Sequence, residues 1–146
     1  EVLFATGSDK LKTKFKEILN DFTPRYIKIL TGDQFKDSIK EIRIEGHTST
    51  FWKNSSSSLD GYFKNMTLSQ ARTRTTLEFI FLLPETVENE EWLKTRLTAN
   101  GLSSSRPIKN KNLKIDEKAS QRVEFRIVTN ADEKLETIAK SILKIE

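Results

Sequence analysis

Arg122-Val123-Glu124-Phe125-Arg126-Ile127 alternates charged and apolar residues without a break. A period of two is the mark of a β-strand with one face against a core. Glu41-Ile42-Arg43-Ile44-Glu45 repeats the pattern and is closed by Gly46. Between these two strands the period changes: Leu68, Ala71, Thr75, Phe79 and Leu82 recur at helical spacing up to Pro84. The run Thr67-Leu68-Ser69-Gln70 before them has the form of a capping box, in which the Thr hydroxyl accepts from a backbone amide one turn on and Gln70 reaches back. A short helical piece is expected around Glu90 to Leu93, followed by a strand over Leu97 to Gly101 and a polar loop from Ser103 to Lys118 that contains Pro107.

Outward of this centre, Val2 to Ala5 is a short apolar run ended by Thr6-Gly7-Ser8 and is expected as a buried strand. Leu11, Phe15, Ile18, Leu19 and Phe22 then mark one face of a helix that Thr23-Pro24 should interrupt, with Arg25 to Leu30 continuing after a bend. At the other end Asn130 is expected to cap an amphipathic helix carrying Leu135, Ile138, Ala139 and Ile142. The polar stretch from His47 to Lys64, with Ser55 to Ser58 in a row, is expected as a long loop. The order strand, helix, strand, helix, strand, strand, helix implies an α/β sandwich: a mixed four-stranded sheet with helices packed on one face.

The chain's 146 residues, 36% of them apolar, suit one domain over 1–146 with one core. Charged residues reach 32% and the net charge is +4, yet Lys and Arg are interleaved with Asp and Glu, which describes a solvated surface. A pI near 9.3 admits polyanions as partners. No basic run with interspersed aromatics offers a stacking platform, so nucleic acid is not expected. Without cysteine there is neither a disulfide framework nor a thiolate site, and one histidine is a weak start for a metal centre. No metal or other cofactor is expected. Ser49, His47 and Asp60 contain the atoms of a hydrolytic triad, but no Gly-x-Ser-x-Gly elbow accompanies them, and the expectation is not an enzyme.

Three stretches, in order, resemble the OmpA-like family, which includes OmpA, the Pal lipoprotein and MotB. Gly46-His47-Thr48-Ser49 stands where the family carries Gly-His-Thr-Asp after its second strand. Asn65-Met66-Thr67-Leu68-Ser69-Gln70-Ala71-Arg72 matches its Asn, two residues, Leu-Ser, two residues, Arg at a helix start. Gly101, Pro107-Ile108 and Ser120-Gln121-Arg122-Val123-Glu124 resemble its last element. The resemblance runs from about Phe4 to Ile127 and implies a βαβαββ fold. Phe4-Ala5-Thr6-Gly7-Ser8-Asp9-Lys10-Leu11 and the long inserted loop lie closer to the MotB-like stator branch than to Pal.

What the resemblance implies about function is non-covalent binding of peptidoglycan at the diaminopimelate residue of its stem peptide, anchoring a membrane protein or stator complex to the cell wall. The alternative is a protein-interaction or dimerisation domain that has lost wall binding, and a homodimer is compatible with either. The ligand residues it implies are Thr48, Ser49, Asn65, Leu68, Arg72 and Arg122. A free amino-acid end presents one cation and one planar anion, so a site needs an acceptor and a bidentate donor close together. Arg72, aided by the dipole of a helix start just before it, is the expected donor, at a pocket between Gly46, that helix start and Gln121-Arg122. The family's acceptor is replaced by the neutral Ser49, and the spacing to Arg72 is lengthened by the serine-bearing insertion. Asp60, within the insertion, is a candidate substitute anion, and the ligand could instead differ from diaminopimelate. Arg122 is open between a ligand role and a salt bridge near Glu124. Trp52, Leu59, Tyr62 and Phe63 either pack the loop down or form a contact surface.

The first residue is Glu1 rather than Met. The expectation is therefore the C-terminal periplasmic part of a longer protein, anchored in the inner or outer membrane of a Gram-negative bacterium by a segment outside this chain.

Overall fold

The computed structural model describes residues 3–143. Its sheet has three strands in the order β2-β1-β3: β1 spans Ile39–His47, β2 Leu97–Gly101 and β3 Arg122–Thr129. β1 and β3 are antiparallel, with Ile44 opposite Phe125 and His47 opposite Arg122. β1 and β2 are parallel, with Ile42 opposite Leu97 and Gly46 opposite Gly101. A parallel pair needs a crossover, and α2, Ser58–Phe81, supplies it. α1 spans Thr13–Leu30, and the shorter α3, Glu90–Lys94, α4, Glu117–Ser120, and the terminal α5, Ala131–Leu143, complete the chain.

The core follows from the alternation in β1. Ile42 and Ile44 are buried and pack with Ile27 and Leu30 of α1, Ile80 of α2, and Leu93 and Leu97. A second cluster joins Phe4 to Phe15 and Leu19 of α1. Glu41, Arg43, Glu45 and His47 have the opposite parity in β1 and so take the other face of the sheet. There Glu45 and His47 are nonetheless buried.

Five expectations change. Phe4 makes only an isolated bridge with Leu11, so no fourth strand forms among the described residues, and Val2 lies outside them. The reason is local: the chain turns at Thr6-Gly7, where Gly7 has φ 66°, and closes on Leu11 before any ladder can grow. α1 runs unbroken through Pro24. Proline removes one helical hydrogen bond, but Leu19, Thr23, Ile27 and Leu30 form one buried stripe that carries the helix past it. Thr23 is thus a core residue with an unpartnered hydroxyl, not a cap.

α2 begins at Ser58 rather than near Thr67, with Ser57 as its cap: the Ser57 hydroxyl accepts from Asp60 N at 3.1 Å. Thr67 Oγ1 donates back to Phe63 O within the helix, so the expected capping box lies in a helix interior. The buried face of α2 is also shifted, to Gly61, Asn65, Ser69, Arg72, Thr73, Thr76 and Ile80. Its hydroxyls are satisfied by the helix itself, as in Thr73 Oγ1 to Ser69 O and Thr76 Oγ1 to Arg72 O. Small polar residues satisfied in this way can be buried at little cost. Finally, the polar loop ends two residues early, because Asp116 accepts from Ala119 N at 2.9 Å and caps α4, which starts at Glu117.

Candidate functional site

β1 ends at His47, and the chain turns through Thr48 to Phe51 over the flank of α2. Asn65, buried on that flank, holds the turn by donating from Nδ2 to Ser49 O at 3.1 Å and to Phe51 O at 3.4 Å. Ser49 Oγ donates to Phe51 O at 3.3 Å. At the same end of the sheet, just beyond β2, Ser103 O accepts from Thr48 N at 2.9 Å. Between this turn, α2 and the turn at Thr6-Gly7 lies a groove of about 340 Å³. Five of the seven residues expected for the ligand site line it: Thr48, Ser49, Asn65, Leu68 and Arg72. Phe51, Trp52, Lys53 and Gln121 complete its walls. Phe51 is 70% exposed; around the serine run Trp52 and Tyr62 are half-buried while Leu59 and Phe63 are exposed, so these residues divide between packing and solvent. The Thr48 hydroxyl is buried in this lining and has no hydrogen-bond partner. Such a group costs about 1–3 kcal/mol until something pairs with it.

Arg72 is only 9% exposed. Its guanidinium lies 4.8 Å from the centre of the Phe4 ring, donates from Nε to Ser8 O at 2.8 Å and from Nη2 to Ala5 O at 2.9 Å. The arginine therefore ties the N-terminal turn to α2 and forms the groove wall in the same act. It stands fourteen residues beyond Ser58, about 21 Å along the axis at the ordinary rise per residue. The dipole of the α2 N-terminus is too far away to assist it, contrary to the expectation.

A smaller pocket of about 50 Å³ adjoins the groove and is lined by Gly46, His47, Ser69, Arg72, Gln121 and Arg122, among others. This is the pocket expected between the end of the second strand, α2 and the entry to the last strand. Arg122 reaches it, but pairs with Glu124 at 2.5 Å and donates from Nη1 to Ser120 O at 3.2 Å and Arg106 O at 3.3 Å. Its ion pair is thus formed while the residue also lines the pocket. Asp60 lies in neither pocket: its carboxylate accepts from Ser56 N at 2.8 Å and Lys64 Nζ at 2.8 Å. Those two bonds lower its pKa, Lys64 contributing most.

On the outer face of the sheet His47 Nε2 sits 3.8 Å from Glu45 Oε2 and 3.9 Å from Glu124 Oε2. The three ligand atoms lie within 4.8 Å of one another. The carboxylates are already compensated: Arg126 reaches Glu45 at 3.0 Å and Glu124 at 3.5 Å, and Arg106 reaches Glu45 at 3.5 Å. With Arg122 on Glu124, three guanidinium charges face two carboxylates, so a divalent cation would enter an already positive field. The cluster is a network of ion pairs. Burial lowers the pKa of His47, and Arg122 adds to the effect. The hydrogen bond from Arg122 lowers that of Glu124. His47, Ser49 and Asp60 are engaged in three different places and form no relay.

The feature that sequence reasoning passed over is Glu117. Its carboxylate accepts from Thr50 N at 2.7 Å and from the Thr50 hydroxyl, fastening the groove-lining turn to α4. The Asp116-x-x-Ala119 cap was the signal that would have placed it on a helix rather than in a loop.

No family model matches the chain. Zorya protein ZorB from Escherichia coli is 46% identical over 132 residues, covering 90% of this chain and 55% of ZorB, so the chain spans about half the length of that relative. Among solved structures, the periplasmic domain of Helicobacter pylori MotB (residues 78–256) superposes with a TM-score of 0.58 at 16% identity, over 96% of this chain and 80% of that one. The OmpA-like domain of FopA1 from Francisella tularensis gives 0.55 at 16% identity, over 88% and 72%. The cell wall anchor of the T6SS from Pseudomonas aeruginosa gives 0.52 at 18% identity, over 87% and 75%. At such identities these three speak for fold alone. The chain is an OmpA-like domain in fold, and Zorya protein ZorB is its relative in sequence.

Proposed function

We propose that this domain binds peptidoglycan non-covalently through the groove between the Thr48–Phe51 turn and α2, and so anchors a membrane protein to the cell wall from the periplasmic side. One observation carries the reading: residues from two separate sequence motifs, Thr48 and Ser49 from one and Asn65, Leu68 and Arg72 from the other, converge on one groove. A groove with a buried arginine, an unpartnered hydroxyl and an exposed aromatic suits a polar ligand with an anionic group and a carbon skeleton. The fold shared with a cell wall anchor and with the periplasmic domain of MotB supports the same reading, and the kinship with ZorB supports its stator form. No helix among the described residues is long and apolar enough to cross a membrane. The test is a titration of the ¹⁵N-labelled chain with a diaminopimelate-bearing stem peptide. Amide shifts should concentrate at Ser49, Asn65 and Arg72; shifts scattered over the surface would remove the groove from the reading.

A second reading, a protein-interaction or dimerisation domain without wall binding, is favoured by one feature. Leu135 and Ile138 on α5 are 65% and 56% exposed and lie on one helical face. A chain that is dimeric in light scattering and silent towards the stem peptide would favour it.

A further inference from the structure

The segment from Arg106 to Ile115 carries Arg106, Lys109, Lys111 and Lys114 and no acidic residue. It forms a short hairpin in the connection between β2 and β3. Asn110 N donates to Lys114 O at 2.8 Å and Asp116 N to Ile108 O at 2.8 Å, with Lys109 and Ile115 bridged between them. The tip is fixed as well. Leu113 N donates to Asn110 O at 3.0 Å, and Asn110 Oδ1 accepts from Asn112 N at 2.9 Å and from Lys114 N at 3.1 Å. Residues 108–115 are nonetheless all exposed, so an ordered tip stands clear of the fold.

Two features of this tip are unfavourable in water. Leu113 has φ 62°, the left-handed conformation that tight hairpin loops ordinarily give to glycine. Its side chain is also 79% exposed, and Ile108 and Ile115 on the arms are 37% and 42% exposed. A branched apolar residue thus occupies a strained position at which it gains almost no packing. Around it, Lys109, Lys111 and Lys114 have no ion-pair partner among the described residues, whereas Arg106 has Glu45.

We infer that this hairpin is a contact for an anionic lipid surface: Leu113 enters the headgroup boundary of a bilayer, and Lys109, Lys111 and Lys114 meet its phosphates. Charge complementarity selects an anionic surface. The apolar tip selects a bilayer over a soluble polyanion, because only a bilayer holds an apolar phase behind its charges. Lysine suits the boundary, since its carbon stem can lie along apolar surface while the ammonium stays in water. The bonds of Asn110 hold the tip in place before contact, so little ordering is needed on binding. None of the residues from Arg106 to Asp116 lines the groove, and the contact is therefore separate from the one proposed for peptidoglycan.

The experiment is co-sedimentation of the chain at low salt with vesicles of phosphatidylglycerol and phosphatidylethanolamine, and with vesicles of phosphatidylcholine beside them. The unmodified chain should pellet with the anionic vesicles and stay in solution with the zwitterionic ones. Lys111→Gln and Lys28→Gln remove the same charge from different places, Lys28 being exposed in the last turn of α1. Lys111→Gln should weaken binding to the anionic vesicles about fivefold, and Lys28→Gln should leave it as it is. Leu113→Gly keeps the net charge and relieves the left-handed conformation. It should weaken vesicle binding about fivefold or more without lowering the melting temperature. Recovery of the unmodified chain in the supernatant of the anionic vesicles would overturn the inference, as would equal weakening by the two lysine variants. Undiminished binding by Leu113→Gly would also overturn it and point to a polyanion held by charge alone. A lower melting temperature in that variant would show that Leu113 is held by the fold rather than offered to lipid, with the same consequence.

Discussion

Gly46 and Gly101 are register partners in the parallel β1–β2 pair, and α2 rests on both. A Cβ on Gly46 would lie 2.6 Å from Thr73 Cγ2 and 2.9 Å from Ser69 O; one on Gly101 would lie 2.4 Å from Gln70 N and 2.7 Å from Gln70 Cα. The helix turn that carries Arg72 is therefore seated directly on sheet backbone, which sets the depth of the groove. Gly101→Ala should destabilise the domain by about 1–3 kcal/mol through overpacking. Urea unfolding checks this, and an unchanged midpoint would show that α2 is free to lift.

The Ser57 cap is the second structural prediction. Ser57→Ala removes the acceptor for Asp60 N and should cost about 1 kcal/mol. Thermal unfolding measures it. A loss near zero would mean that α2 effectively starts later, as its apolar spacing alone suggested.

The arrangement was legible in the sequence where alternation was strict, as in β1 and β3. It was illegible where burial is polar: the contact face of α2 is built on Ser69, Thr73 and Thr76, whose hydroxyls turn back on the helix and so read as surface. The start of α2 hid in the serine run because four adjacent serines offer several caps and only packing chooses Ser57. Pro24 misled because a buried stripe outweighs one lost hydrogen bond. Most of the groove residues were visible through their motifs, whereas Glu117 meets the groove only through the tertiary contact with Thr50.

His47 should make stability pH-dependent. Its folded-state pKa lies below the ordinary value, mainly through burial, with Arg122 and Arg106 opposing protonation and Glu124 and Glu45 favouring it. The unfolded chain therefore binds the proton more readily, and the stabilisation is complete above about pH 6.5 and is lost as pH falls through the folded value. The melting temperature should decline between pH 7 and 5.5, before the carboxylates Glu41 and Glu124 titrate. His47→Gln should flatten that decline; an unaltered slope would assign it elsewhere.

Arg72→Ala should act twice. It removes bonds to Ala5 O and Ser8 O, so hydrogen exchange at residues 4–12 should speed up. Binding to the stem peptide should weaken by about 2 kcal/mol through the lost charged donor. Arg72→Lys should restore little of either, since an ammonium cannot span two carbonyls as a guanidinium does. Normal exchange protection in the alanine variant would contradict the tethering role.

The central claim, wall binding through the groove, is tested most directly by co-sedimentation with purified sacculi from a diaminopimelate-containing bacterium at low salt, with Arg72→Ala beside the unmodified chain. The account predicts that the unmodified chain pellets with the sacculi and the variant largely does not. Recovery of the unmodified chain wholly in the supernatant would contradict it.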